Sequence, residues 1–266
     1  MKGSLIPAVV TAGGRLPEAL AARVGTDIKA LLKIRGVPLL EIVVSALRES
    51  GGVSTIAVVG PESVREIALD AGANLLLPEG ASGSDNMIAG LRAIHGEAGK
   101  GRAILAASDM YGLSAIAVAD AIARAADAEG DILFPVVTRA AYEARFPDSP
   151  NIWAPIDGEE YTGGSLTFVK PVAIERNHAI IEAVFEARKS QWAMARLLGM
   201  PFFFKFLLRR LTIPEVEDKA TQITGSQCRA LLNADARLAA DIDTVQDWEY
   251  AVRRATGESG RDHKRE

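Results

Sequence analysis

Short apolar runs alternate with longer amphipathic segments along the first half of the chain. The runs lie at residues 6–10, 55–59, 74–77, 103–107 and 132–137. Consecutive positions in them are apolar, which is typical of strands buried on both faces. Helical periodicity is found between the runs, at residues 38–48, 61–71, 84–95 and 114–128. This order predicts an α/β fold, with a Rossmann-like, mainly parallel sheet and helices on both of its faces.

The pattern changes after Val137. Residues 138–161 hold three prolines and show no period, which predicts a long irregular connection. A further strand is expected at residues 165–169. Residues 179–225 have a helical pattern with breaks at a Gly-Met-Pro and an Ile-Pro sequence, which predicts a helical C-terminal insertion.

The last part of the chain contains shorter signals. Two short strands are expected at residues 228–232 and 238–242, followed by a helix at 244–254 that Thr244 caps. Residues 1–256 are therefore expected to form a single domain, and the polar tail at 257–266 is expected to be disordered.

Composition excludes several classes of protein. The 266 residues carry 30 Lys and Arg against 34 Asp and Glu, with no basic block in the body of the chain, so nucleic acid is not expected as a partner. A single cysteine and three scattered histidines exclude a disulfide framework and a structural zinc site, which favours a cytoplasmic location. The N-terminal apolar stretch is too short for a signal peptide, and no run approaches the roughly 18 residues of a membrane span.

A glycine-rich turn follows the first predicted strand. It reads Thr11-Ala12-Gly13-Gly14, and Lys29 comes fifteen residues after Gly14. Glycines let backbone N–H groups approach a phosphate or a base, and a lysine supplies positive charge. The segment is neither a Walker loop nor a G-x-G-x-x-G fingerprint. Taken alone, the glycine pair favours a simple tight turn between strand and helix.

Four segments, in order, resemble the MobA-like nucleotidyltransferases. The first comprises residues 12–14 (AGG), Arg23, residues 29–32 (KALL) and residues 36–40 (GVPLL). The others are residues 108–114 (SDMYGLS), 162–166 (TGGSL) and 241–247 (DIDTVQD). Together they span residues 5–255, and four ordered matches are more specific than any one. The chain departs from the family's pattern where Tyr111 and Val245 replace prolines, where Ser165 replaces asparagine, and in an enlarged loop after Gly14.

The resemblance implies a GT-A-type fold and an enzyme that couples an NTP to a small phosphorylated acceptor and releases pyrophosphate. Mg²⁺ is the implied cofactor, held by Asp109 and Asp241. Asp109 follows an apolar strand, where a carboxylate can serve as a hard oxygen ligand. Asp243 is a close alternative to Asp241, although a role with Thr244 in capping the last helix explains it equally well.

The remaining roles also follow from the resemblance. Backbone groups of Ala12, Gly13 and Gly14 hold the base, Lys29 stabilises charge at the α-phosphate, and Arg23 steadies the departing pyrophosphate. Asn86 contacts the base or ribose, but Ser84 or Asp85 in the same segment is equally well explained as a helix cap. Gly163 and Gly164 lie on the acceptor side.

Two other functions remain open at this stage. Asp241-Ile242-Asp243 has the spelling of a glycosyltransferase D-x-D motif, but it lies near the C-terminus. A third hypothesis is a family member that binds a nucleotide without turnover.

The Phe-rich stretch at 202–211 suits a membrane surface or a packed interface, and we expect its side chains to be buried in the protein or in a homodimer, without membrane insertion.

Overall fold

The apolar runs form a nine-stranded sheet, and a separate two-stranded hairpin lies beside it. The computed structural model describes residues 5–99, 101–175, 180, 182–183 and 196–257. Its strands are β1 (Ile6–Thr11), β2 (Lys33–Ile34), β3 (Val37–Pro38), β4 (Val53–Gly60), β5 (Leu75–Pro78), β6 (Ala103–Ala107), β7 (Ile132–Thr138), β8 (Ala154–Ile156), β9 (Glu159–Gly163), β10 (Leu166–Val169) and β11 (Cys228–Leu231).

The sheet is mainly parallel, as predicted. Its order is β5-β4-β1-β6-β10-β7-β9-β8, and β11 pairs with β7. Strands β5, β4, β1 and β6 run parallel, whereas β10 is antiparallel to both β6 and β7 and separates them. The predicted βαβ rhythm therefore holds as far as β6 and is interrupted by a strand from later in the chain.

Helices cover both faces of this sheet. They are α1 (Glu18–Val24), α2 (Leu39–Glu49), α3 (Arg65–Ala71), α4 (Gly83–Ala98), α5 (Ala115–Asp127), α6 (Arg139–Arg145), α7 (Pro171–Glu175), α8 (Met200–Leu207), α9 (Ile213–Thr224) and α10 (Val245–Thr256).

Alternate residues of β1 show why its sequence is apolar from Ile6 to Val10. Ala8 and Val10 belong to the core cluster that contains residues of α2, α3 and α5, whereas Val9 belongs to the cluster that contains residues of α4. All three residues are fully buried. A strand covered on both faces has no solvent-facing positions, so the alternation of a half-exposed strand is absent.

Side-chain caps mark the start of five of the described α-helices, and three of these caps bear on the sequence predictions. Ser114 accepts a hydrogen bond from Ala117 N–H at the start of α5. Thr244 and Asp247 form a reciprocal capping box at the start of α10, so Thr244 is the cap and Asp243 lies outside it. The cap of α4 is Ser82, which accepts from Asp85 N–H; the expected caps Ser84 and Asp85 were wrong by two or three residues.

Several expectations about secondary structure were wrong. The connection at 138–161 is not irregular throughout but contains α6 and the β8–β9 hairpin. These elements were missed because stretches of three to seven residues show too little periodicity to detect. The loop after Gly14 contains α1. Residues 238–242 do not form a strand: a 3-10 turn covers Ala236–Ala239, and a single bridge joins Asp241 to Met110.

The C-terminal insertion is helical where it is described. Helices α8 and α9 begin next to the two predicted breaks. No residue of α8 is buried, and Phe204 and Leu207 are 53% and 57% exposed, whereas Leu211 at the end of the Phe-rich stretch is buried. The expected burial within the chain was therefore wrong for α8, and burial in a homodimer stays a prediction. Residues 176–179, 181 and 184–195 of the insertion, and residues 258–266 of the predicted tail, lie outside the described residues. Within the described part of the chain, no helix has the length and apolarity to cross a membrane.

Candidate active site

A cleft of about 790 Å³ opens at the carboxyl ends of β1 and β6 and at the N-terminus of α4. Parallel sheets place their functional loops at this edge. The cleft brings together most of the residues that the sequence singled out. Its lining includes Gly13, Gly14, Lys29, Asn86, Asp109, Gly164, Asp241 and Asp243.

Lys29 lies between two carboxylates in the centre of the cleft. Its backbone N–H donates to Gly14 O over 3.0 Å, which ties the 3-10 turn Lys29–Leu31 to the glycine loop. Its ammonium Nζ lies 3.1 Å from Asp109 Oδ2 and 2.5 Å from Asp243 Oδ1. Burial lowers the pKa of Lys29, but the charges of Asp109 and Asp243 outweigh it and leave that pKa raised. The side chain is therefore a fixed positive charge at neutral pH.

Asp109 follows β6, and only one of its two carboxylate oxygens has a hydrogen-bond partner. Oδ2 accepts from Lys29, whereas Oδ1 is buried and has no hydrogen-bond partner. Burial raises the pKa of this carboxyl, and the Lys29 charge opposes that shift. A buried carboxylate oxygen without a donor is costly unless a cation or a water supplies the missing interaction.

Asp241, which lies near the C-terminal helix α10 in the sequence, lines the same cleft. The bridge to Met110 places it beside Asp109, and Ser165 Oγ donates to its Oδ2 over 2.5 Å. Burial and the neighbouring charge of Asp109 raise the pKa of Asp241 to about 7. A buried carboxylate whose pKa is raised by a neighbouring carboxylate favours a cation between the two.

Asp109 and Asp241 suit Mg²⁺ by this geometry and by the chemistry of their oxygens. Within the described residues, no group of three or more His, Cys, Asp or Glu side chains is arranged to hold a metal. Mg²⁺ commonly takes only one or two carboxylates and fills its remaining positions with water and substrate phosphates. Asp243 is less suited, because its side chain is 72% exposed, whereas that of Asp109 is only 14% exposed.

The half of the cleft beside α4 is closely packed around Gly13. The buried Asn86 accepts from Gly80 N–H through Oδ1 over 2.6 Å, which fixes its amide group. A Cβ atom on Gly13 would lie 2.6 Å from Asn86 Nδ2 and 3.1 Å from Glu79 Oε2, so only glycine fits there.

Ala12 is fully buried, its N–H donates to Val59 O, and it does not line the cleft.

The arginine at the cleft is Arg15, not Arg23. Arg15 donates to Gly13 O over 2.7 Å and to Glu79 over 2.8 Å, and it lines the cleft. Arg23 lies outside the lining: it pairs with Glu249 over 2.8 Å and stacks on the Trp248 ring. Arg23 belongs to helix α1 and contacts α10, whereas Arg15 precedes α1 and stays at the cleft. The sequence signal for Arg15 is its position directly after Gly14.

The two glycines expected on the acceptor side are placed differently. Gly164 lines the cleft, and a Cβ atom on it would come within 3.2 Å of Leu238 O. Gly163 is exposed at the end of β9 and is not part of the lining.

Comparison with known proteins identifies the family and the fold of the chain. A family model described as the MobA-like NTP transferase domain matches residues 8–230. A hypothetical transferase from Thermus thermophilus is 30% identical, with a TM-score of 0.79 over 91% of this chain and 99% of that one. A nucleotidyl transferase from Methanothermobacter is 18% identical, with a TM-score of 0.57 over 97% of this chain and 100% of that one, and shares the fold. No curated protein matches the sequence.

Proposed function

Because the chain belongs to the family of MobA-like NTP transferases and is thus a nucleotidyltransferase, we propose that it transfers a nucleotidyl group from an NTP to a small phosphorylated acceptor. The acceptor is a sugar, alditol or cofactor phosphate, and the reaction depends on Mg²⁺. One observation carries the proposal: Lys29, Asp109 and Asp241 meet in a cleft at the strand ends. The single cysteine in the sequence supports a cytoplasmic location.

The chemistry needs charge and alignment more than a base. An oxygen of the acceptor phosphate attacks the α-phosphorus, the bond from that phosphorus to the bridging oxygen breaks, and pyrophosphate leaves. The attacking oxygen is already anionic near neutral pH, so no proton has to be removed. Rate enhancement then comes from positioning for in-line attack and from neutralising negative charge.

Lys29 supplies the positive charge at the α-phosphate. Its Nζ is held by Asp109 and by the exposed Asp243, so an arriving phosphate can replace Asp243 as a partner while Asp109 keeps the ammonium in place. Arg15 steadies the departing pyrophosphate, the role that the sequence gave to Arg23, because its guanidinium is the one at the cleft.

The nucleoside lies over Gly13 and Gly14, beside Asn86. The absence of side chains on these glycines lets the base or ribose approach the backbone, and the fixed amide of Asn86 offers a directed hydrogen-bond donor. The acceptor lies on the side of Gly164, where the lining residues Leu105, Ala107 and Thr167 are small or uncharged.

Asp109 and Asp241 would hold Mg²⁺, and the buried, unpartnered Oδ1 of Asp109 supports this. When bound, Mg²⁺ neutralises phosphate oxygens and holds them in place.

Incubation with each NTP, Mg²⁺ and a pool of sugar, alditol and cofactor phosphates tests the proposal. The expected result is release of pyrophosphate that requires both Mg²⁺ and an acceptor, with a new nucleotide-linked product detected by mass spectrometry. Sugar transfer from nucleotide sugars would instead indicate a glycosyltransferase. Binding of an NTP without turnover of any acceptor in the pool would indicate the non-catalytic alternative.

A further inference from the structure

The hydroxyl of Ser165 is bonded to one of the two cleft carboxylates. Ser165 lies directly before β10, and its Oγ donates to Asp241 Oδ2 over 2.5 Å. Both residues line the cleft. Asparagine stands at this position in the family's pattern, so the serine hydroxyl is a feature of this chain.

Backbone hydrogen bonds fix where that hydroxyl lies. Ser165 N–H donates to Leu238 O over 2.7 Å, and Ser165 O accepts from Ala107 N–H over 2.9 Å. Ser165 thereby connects the end of β6, which leads to Asp109, with the segment that leads to Asp241. The neighbouring Gly164 lies at the same junction, where an added Cβ atom would be 3.2 Å from Leu238 O.

The single proton of the Ser165 hydroxyl is directed at Asp241. A serine has only one O–H to donate, so in this arrangement it has none left for an acceptor molecule. With Oδ2 engaged, Oδ1 is the oxygen of Asp241 that remains for a cation. The contact also restricts rotation of the carboxylate, which otherwise has a broad torsional preference.

We propose that Ser165 is a positioning residue, whose hydroxyl orients Asp241 so that Asp241 and Asp109 bind one divalent cation together. This inference rests on the proposed function, in which these two carboxylates hold Mg²⁺. Removing a group that orients a metal-binding side chain typically weakens metal affinity by about 10–100-fold.

Binding of Mn²⁺ alone to the full-length protein, followed by electron paramagnetic resonance, tests the inference. Ser165→Ala is expected to weaken Mn²⁺ binding by about tenfold or more, and Ser165→Thr, which keeps the hydroxyl, to restore most of it. Ser54→Ala is the matched control, because it makes the same substitution on β4 at a residue that does not line the cleft. Its Mn²⁺ affinity is expected to equal that of the wild type, and the melting temperatures of all variants in EDTA are expected to be similar.

Each other result has a distinct meaning. Wild-type Mn²⁺ affinity in Ser165→Ala would overturn the positioning role and leave the proposed function intact. Equal losses in Ser165→Ala and Ser165→Thr, together with a lower melting temperature in EDTA, would assign Ser165 a structural role only and would also overturn the inference. No Mn²⁺ binding by the wild type would contradict the cation site itself and the inference with it.

Discussion

Lys29 and Asp243 are 214 residues apart in the chain, and their side chains meet over 2.5 Å between Nζ and Oδ1. The contact joins the glycine loop at the start of the fold to the segment before α10. It also gives the two aspartates of the Asp241-Ile242-Asp243 sequence separate partners, because Asp241 is bonded to Ser165 and Asp243 to Lys29. The sequence alone left these two residues as alternatives.

Asp243→Asn tests this division of roles. Asp243 is 72% exposed, so its pair with Lys29 contributes only about 0.2–1 kcal/mol, a factor of up to about five in affinity. In the proposed function a nucleotide phosphate replaces Asp243 at Lys29, so we expect the variant to bind NTP slightly more tightly and to keep its Mn²⁺ affinity. Isothermal titration calorimetry measures both. If Mn²⁺ binding is lost in Asp243→Asn and kept in Asp241→Asn, Asp243 is the metal ligand.

Lys29→Ala is expected to lower kcat on the order of 10²- to 10³-fold, because it removes one preorganised charge at a developing anionic centre. Lys29→Arg is expected to restore only part of the rate, since a planar guanidinium does not replace a compact ammonium. Steady-state kinetics over a range of NTP concentrations separates the effects. A change in the KM for NTP with kcat intact would make Lys29 a binding residue only.

Stability of the metal-free protein is expected to fall as the pH rises towards 8. The folded-state pKa of Asp241 is about 7, against about 3.9 for an unfolded aspartate, so between these values the folded state binds more protons. The stabilisation that Asp241 contributes to the folded state is complete below its unfolded pKa and is lost as the pH rises through its folded pKa.

Melting temperatures in EDTA between pH 5 and 8 measure this effect. We expect Asp241→Asn to have a flatter pH dependence than the wild type and a higher melting temperature at pH 8. Asp70→Asn, at an exposed position on α3, is the control and is expected to follow the wild type. Parallel curves for the wild type and Asp241→Asn would show that Asp241 has no raised pKa.

Gly13→Ala is expected to reduce kcat/KM on the order of 10²-fold, as misplacement by about 1 Å commonly does. The new methyl group would lie 2.6 Å from Asn86 Nδ2, and Asn86 is held by its bond to Gly80. The control is Gly96→Ala on α4, where a Cβ atom meets nothing within 4 Å. Equal kinetics for the two variants would show that Gly13 is not part of the nucleotide site.

The sequence was most informative where structure depends on local pattern. Strands such as β1 and β6 are apolar at nearly every position because both faces are covered, and that signal is visible in the chain itself. The position of β10 between β6 and β7 depends on pairing between distant segments, and no local pattern records it. Short elements such as α1 were missed because one or two turns leave little periodicity.

The same distinction holds in the site. Lys29, Asp109 and Asp241 could be predicted because each stands in a recognisable motif. Arg15 was missed because the enlarged loop obscured which arginine stays at the cleft, and α1 carries Arg23 away from it. The bond between Ser165 and Asp241 spans 76 residues and depends on how two distant segments meet, so only the structure reveals it.

Asp109→Ala gives the most direct test of the central claim that this carboxylate holds the metal that supports nucleotidyl transfer. The measurement is Mg²⁺- and acceptor-dependent pyrophosphate release at saturating Mg²⁺, with circular dichroism to confirm that the variant is folded. The account predicts near-complete loss of turnover in a protein that remains folded, because Asp109 contributes charge to the cleft and little to the core. Wild-type turnover in the folded variant would contradict it.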